Sequence, residues 1–91
     1  MYYVYILKLN TKKIYIGYAN DLKRRVGEHT NGKCTYTRNK RPLELIYYEA
    51  YKAKSDATKR EHHLKEYKSS WGQLKKRIAE SSEDLKSGGP R

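Results

Sequence analysis

The chain has 91 residues, 21 of them Lys or Arg against 10 Asp or Glu, for a formal charge of +11. These residues hold one small domain with a modest core and leave no room for a second, and no run is long and apolar enough for a membrane-spanning helix. With ten Tyr, one Trp and no Phe, tyrosines must supply much of the apolar area, their hydroxyls finding partners at the core's edge.

Self-repulsion on this scale costs stability and points to a polyanionic partner, nucleic acid first. A solvated basic surface, a ribosome-associated protein or a membrane-surface protein is the alternative reading of the charge. Cys34, the only cysteine, has no partner for an intrachain disulfide and no neighbour at metal-ligand spacing, so it reads as an ordinary side chain in a reducing compartment. The opening Met1–Lys8 lacks the leading basic residue and the long apolar stretch of a signal peptide. A cytoplasmic location is expected.

Residues 2–8, rich in Tyr, Val, Ile and Leu, predict a strand, and Asn10-Thr11-Lys12 a turn into a second strand over 13–18. A two-residue loop would set Tyr5 opposite Ile16. A three-residue loop over 10–12 sets Tyr5 opposite Gly17 and Leu7 opposite Tyr15, and only this register makes Tyr5 and Tyr15 diagonal neighbours on one face. Gly17 then leaves room for a ligand over that face. Asn20 or Asp21 caps a helix that runs to about Thr30 and stops at Asn31-Gly32. The stretch 32–42 is a basic loop closed by Pro42. Residues 43–50 alternate only in part, but their length and composition favour a third strand. Ser55 or Asp56 caps a second helix over about 56–68, and Trp71 to Ala79 forms a third. The domain is expected to span 1–80, with 81–91 a disordered polar tail. The order β-β-α-β-α-α, opening on a tight hairpin, makes the class α+β: a small three-stranded antiparallel sheet flanked by helices.

Leu22, Arg25, Val26 and His29 share one helix face, and its apolar members turn that face to the sheet. An arginine held there needs an anion, either a protein carboxylate or a substrate phosphate, unless it snorkels to water. On the second helix Ala57, Glu61, Leu64 and Lys68 share a face. Glu61 therefore points inward, to pair with a base such as Arg25 or to hold a metal. Lys59 and Arg60 are predicted to be solvated. His62 and His63 lie about 100° and 200° around the helix from Glu61 and cannot form a compact metal site with it. No acidic cluster exists for a two-metal site. One carboxylate suffices for a hard ion such as Mg²⁺, which keeps several waters. A tyrosine near its usual pKa of about 10 is a poor base at neutral pH and becomes plausible only beside positive charge.

Tyr3-Val4-Tyr5, followed ten residues later by Tyr15-Ile16-Gly17, resembles the paired motif that names the GIY-YIG nucleases. Tyr3 stands for the usual first Gly, as in the small stand-alone bacterial members. Arg25 with His29 four residues on is similar to the family's R-x3-H/Y element, and Glu61 to its metal-binding glutamate. The stretches Tyr36-Thr37-Arg38 and Pro42 to Tyr47 also look like the stand-alone type. The likeness covers roughly residues 2–78 and extends to the N-terminal nuclease domain of a bacterial excinuclease.

The resemblance implies that Tyr15 activates the attacking water, that Tyr5 supports it by hydrogen bonding and that Arg25 holds the scissile phosphate. It further implies that His29 assists the base or the phosphate, that Glu61 binds Mg²⁺ or Mn²⁺, and that Gly17 leaves space for substrate. No small-molecule cofactor is implied. Tyr18 stands where many relatives carry Lys, and Gln73 where they often carry Asn; Gln73 keeps the amide with a longer reach toward nucleic acid. Lys33, Arg38, Lys40 and Arg41 would track phosphates, with Tyr36 free to stack on a base. The implied function is a metal-dependent endonuclease acting on DNA, with RNA possible, in repair, recombination or defence. A non-catalytic nucleic-acid-binding module of the same fold, or a component of a larger repair complex, stays open beside it.

Overall fold

The computed structural model describes residues 1–81. β1 (Tyr2–Lys8) and β2 (Ile14–Ala19) pair antiparallel with Tyr5 opposite Gly17 and Leu7 opposite Tyr15. This is the register set by the three-residue loop: the Leu9 amide donates to the Lys13 carbonyl at 2.9 Å, and Lys12 takes up a left-handed conformation at φ 69°.

β3 (Glu44–Tyr51) lies on the other side of β1, giving the order β2-β1-β3. The central strand is covered on both faces, so Val4, Tyr5, Ile6 and Leu7 are all buried and read as a continuous apolar run. The pairing of β1 with β3 slips from Ile6–Tyr47 to Leu7–Leu45, leaving Ile46 as the extra residue of a bulge. Beyond it the odd-numbered residues of β3 change face. Leu45 packs with Tyr5 and Leu7, whereas Tyr47 and Tyr51 join Val4 and Ile6. The partial alternation in the sequence is this bulge.

One sheet face, Val4, Ile6, Ile14 and Ile16, meets Ala57 and Leu64 of α2 (Lys54–Glu66) and Trp71 and Leu74 of α3 (Lys68–Arg77). The other, Tyr5, Leu7, Leu9 and Ala19, meets Leu22 of α1 (Leu22–Thr30) together with Leu43 and Leu45. Asp21 caps α1, its carboxylate accepting the Arg24 amide at 3.1 Å. Gly32, at φ +76°, follows its C-terminal end, as expected of a residue with no Cβ penalty there.

The second half departs from expectation. α2 begins ahead of Ser55 and Asp56 at an Ala53 cap with no side-chain bond; Asp56 sits in the first turn, where a carboxylate suits the positive end of the helix. Tyr67, extended at φ −114° and ψ 113°, divides α2 from α3. Lys68 therefore opens α3 instead of completing the Ala57–Leu64 stripe, and α3 starts before Trp71. Nor is Arg60 solvated. Its Nε and a terminal nitrogen donate to Glu49 at 2.9 and 3.0 Å, and the hydroxyls of Tyr47 and Tyr51 donate to the same carboxylate at 2.7 and 2.5 Å. Burial pushes the Glu49 carboxyl up, but its four donors outweigh burial and hold it below the usual range. This network stitches α2 to β3 on the face that the bulge gave to Glu49. The expected disordered tail, 81–91, lies outside the described residues except for Ser81.

Candidate active site

The register of the hairpin and the helix face of α1 bring four side chains together. Tyr5 is 1 % exposed and its hydroxyl lies 2.8 Å from His29 Nε2. His29, equally buried, reaches Thr37 Oγ1 with Nδ1 at 2.8 Å. Arg25, one turn before His29, bonds Glu28 at 3.0 Å and also interacts with the Tyr5 phenol. Chemistry fixes the direction of this chain. Arg25 can only donate, so its charge beside the phenol favours the Tyr5 oxygen turned toward it, with the O–H donating to His29 Nε2. A neutral imidazole then has its proton on Nδ1 and donates to Thr37. The imidazole is neutral: burial, helped by the Arg25 charge, lowers its pKa to about 4. Burial and then the neighbouring Tyr15 push the Tyr5 phenol well above its ordinary range. The bond to Glu28 holds the guanidinium firmly protonated. Tyr5 is thus a locked, uncharged phenol. With both nitrogens engaged, His29 positions Tyr5 and has none left for a phosphate.

Tyr15 is the half-buried member of the group. Its ring lies 6.3 Å from Tyr5, 5.0 Å from His29 and 5.7 Å from Tyr36, centroid to centroid. Among the described residues its hydroxyl has no hydrogen-bond partner, which leaves it for solvent or a ligand. The room expected over Gly17 is taken: a Cβ there would stand 2.3 Å from Tyr5 Cζ. Gly17 admits the Tyr5 ring and not a substrate. Tyr36 is not free either, since it stacks on Tyr15 and the Lys40 ammonium lies 4.1 Å from its centroid.

The basic loop is more ordered than its composition predicts. A 3₁₀ turn, Arg38–Lys40, follows Thr37. Lys40 also donates to the Tyr36 carbonyl at 2.9 Å. Arg41 folds over Gly32 and donates to the carbonyls of Arg38 and, at the end of α1, Thr30 at 2.9 and 3.4 Å. Its role is to staple the loop to the negative end of a helix. Lys33 and Arg38 remain exposed.

Glu61 is only partly buried and pairs with Lys65 at 3.1 Å. Among the described residues it makes no bond to Tyr5, Tyr15, Arg25 or His29, and its helix packs on the opposite sheet face. Gln73 is exposed on α3, on that same side of the sheet. Three of the four expected groups therefore converge, while the carboxylate comes from the other layer. No cluster of three potential metal-binding side chains occurs among the described residues. Glu61 suits a hard ion that keeps a largely aqueous shell, since its one ion-pair partner is an exposed lysine that an ion can displace. Glu49, held by four bonds, does not. Two members escaped the sequence reading. Glu28 faces Arg25, and Thr37 is completely buried in a polar loop, its only signal being the Tyr36-Thr37-Arg38 likeness.

Comparison with known proteins agrees with this geometry. The model of the GIY-YIG catalytic domain matches residues 1–78. A UPF0213 protein of Staphylococcus epidermidis is 49 % identical over 67 residues, covering 72 % of this chain and 82 % of the relative. One from Haloquadratum walsbyi is 36 % identical over 85 residues, 92 % of each chain. The solution structure of a UPF0213 protein of Bacillus halodurans superimposes with a TM-score of 0.57 at 31 % identity, over 97 % of this chain and 100 % of that one. Motif order, sheet register and relatives agree, and the chain belongs to the GIY-YIG nuclease family, among its small UPF0213 members.

Proposed function

We propose that the protein is a metal-dependent endonuclease that hydrolyses phosphodiester bonds in DNA, in repair or recombination and in a cytoplasmic setting, and that residues 1–80 suffice for it. The observation that carries this reading is Tyr15. Of the two hairpin phenols in the cluster it is the one whose hydroxyl has no hydrogen-bond partner among the described residues, beside a neutral, locked Tyr5–His29 pair and the permanently charged Arg25. Tyr15 orients the attacking water and relays its proton, passing its own hydroxyl proton to solvent as it takes the water's, while the water oxygen bonds phosphorus and the bond to the departing sugar oxygen breaks. Arg25 exchanges Glu28 for a non-bridging oxygen and stabilises the added charge of the transition state. Tyr5 holds Arg25 in place, and His29 with Thr37 holds Tyr5. The departing sugar oxygen takes a proton from solvent. Glu61 is the residue that would hold a divalent cation, Mg²⁺ or Mn²⁺, which when bound would supply Lewis-acid stabilisation. Lys33 and Arg38 meet the backbone on either side.

A second reading, a binding module that keeps the fold without cutting, is favoured by the lack of any bond between Glu61 and the phenol–guanidinium group. A cleavage assay separates the two. Branched, nicked, single-stranded and duplex DNA and RNA are incubated with Mg²⁺, Mn²⁺ or EDTA, with Glu61→Ala and Tyr15→Phe as controls. Cutting that needs metal and both residues supports the enzyme. Salt-sensitive binding with no cutting, unchanged in Glu61→Ala, supports the module.

A further inference from the structure

Tyr5 is buried in the core and other tyrosines pack around its edge, yet one on the Tyr5 face of the sheet is left open. Tyr48 of β3 is 52 % exposed. It stands directly opposite Tyr5 in the β1–β3 register, so the two share a sheet face with backbones about 5 Å apart. Tyr3 meets it edge to face at 6.0 Å between centroids, which props the Tyr48 ring upright. The two phenols wall a shallow depression of about 390 Å³ that continues over Asn20, Asp21, Leu22 and Lys23. A second depression, of about 600 Å³, shares Asp21 and Lys23 and runs along the outer side of α1 past Arg24 and Lys33 to Glu28, the partner of Arg25. Of the acidic groups on this track, Asp21 is engaged by the Arg24 amide and Glu28 by Arg25. The free charge it presents is cationic.

We propose that Tyr48, propped by Tyr3, is a stacking platform for an unpaired base of the nucleotide next to the phosphate held by Arg25. The substrate strand then runs along Lys23, Arg24 and Lys33. This rests on the nucleic-acid reading above and adds a preference for single-stranded or frayed substrate. An aromatic face takes any base, and flanking cations take its phosphates. A paired duplex hides its base faces from such a wall. A protein partner would need a broader apolar patch than two phenols among cations.

The test measures binding in EDTA, so that cutting does not interfere, by anisotropy of a labelled oligo-dT strand and of a hairpin-closed duplex. Tyr48→Ala is expected to weaken single-strand binding about 5- to 140-fold, the span that stacking of 1–3 kcal/mol per base corresponds to. Tyr48→Phe keeps the ring and should stay within about twofold of wild type, and the duplex should be indifferent to both variants. Wild-type protein should quench 2-aminopurine in the strand, and Tyr48→Ala should not. If Tyr48→Ala fails to fold by thermal melting, Tyr48→Leu replaces it, keeping apolar bulk without a π face. Unchanged single-strand affinity, an equal loss on duplex, or no single-strand binding by wild type overturns the platform. Absence of cleavage by the wild-type protein bears on the nuclease reading alone. Cleavage that depends on Tyr15, combined with single-strand binding indifferent to Tyr48, sinks only the platform.

Discussion

Mild acid should loosen this fold through one buried imidazole. His29 is 1 % exposed and held neutral between Tyr5 and Thr37, with a pKa of about 4; in the unfolded chain it titrates near 6.5. The folded value is the lower one, so the unfolded state binds the extra proton between these limits. The stabilisation is complete above about pH 6.5 and is lost as the pH falls toward 4. Between pH 7 and pH 5 the linkage removes about 2 kcal/mol, a sizeable share of the roughly 5–15 kcal/mol that folded domains command. With a urea dependence of about 1 kcal/mol per molar for a small protein, the unfolding midpoint should fall by roughly 1.5–2 M over that interval. His29→Phe removes the titrating nitrogens. It should be less stable at pH 7, because the Tyr5 and Thr37 hydroxyls lose their partner, and its midpoint should be flatter across the same window. Urea titrations of both proteins at both pH values measure the midpoints, and the ring resonances of wild-type His29 followed by NMR measure its titration. A midpoint unmoved between pH 7 and 5, or a His29 titration at 6.5 or above, would refute the locked neutral imidazole and with it the direction assigned to the Arg25–Tyr5–His29–Thr37 chain.

Two substitutions probe the rest of the scaffold. Gly17→Ala puts a Cβ within 2.3 Å of the Tyr5 ring; ring displacement should cost about 1–3 kcal/mol, read by thermal melting, together with loss of cleavage. Normal stability and activity would mean that Gly17 is not there to admit Tyr5. Arg60→Ala leaves Glu49 with its two tyrosine donors and no cation. A loss of about 2 kcal/mol in urea unfolding is expected, whereas Lys59→Ala on the exposed side of α2 should change stability by less than about 0.5 kcal/mol.

What the sequence disclosed, and what it hid, follows from the range of the interactions involved. The hairpin register was legible because a one-residue slip would have turned Tyr5 and Tyr15 to different faces. The inward side of α1 was legible because Leu22 and Val26 bracket Arg25 at helical spacing. These are local periodicities. The misplaced residues belong to nonlocal contacts. The bulge at Ile46 reverses the facing of β3 and delivers Glu49 to Arg60, and no pattern within either segment records that pairing. Thr37 is buried because His29, eight residues away, needs an acceptor for Nδ1–H. Arg41 stays exposed, yet its guanidinium is tied to the Arg38 carbonyl and, eleven residues back, to that of Thr30 at the end of α1.

The same distinction bears on Glu61. Helical spacing correctly makes it partly buried between Ala57 and Leu64, but Ala57 and Leu64 dock on the sheet face that Tyr5 does not occupy. Spacing can tell that a side chain faces a sheet; it cannot tell which face of the sheet receives the helix. Cooperation between Glu61 and the phenols therefore depends on what a bound phosphate and its counter-ion bridge across the layers. For that reason Glu61→Ala and Tyr15→Phe belong in one double-mutant cycle of cleavage rates. Groups acting on one phosphate give losses far from additive, whereas independent sites give losses that multiply. Multiplying losses would separate the carboxylate from the phenol–guanidinium site.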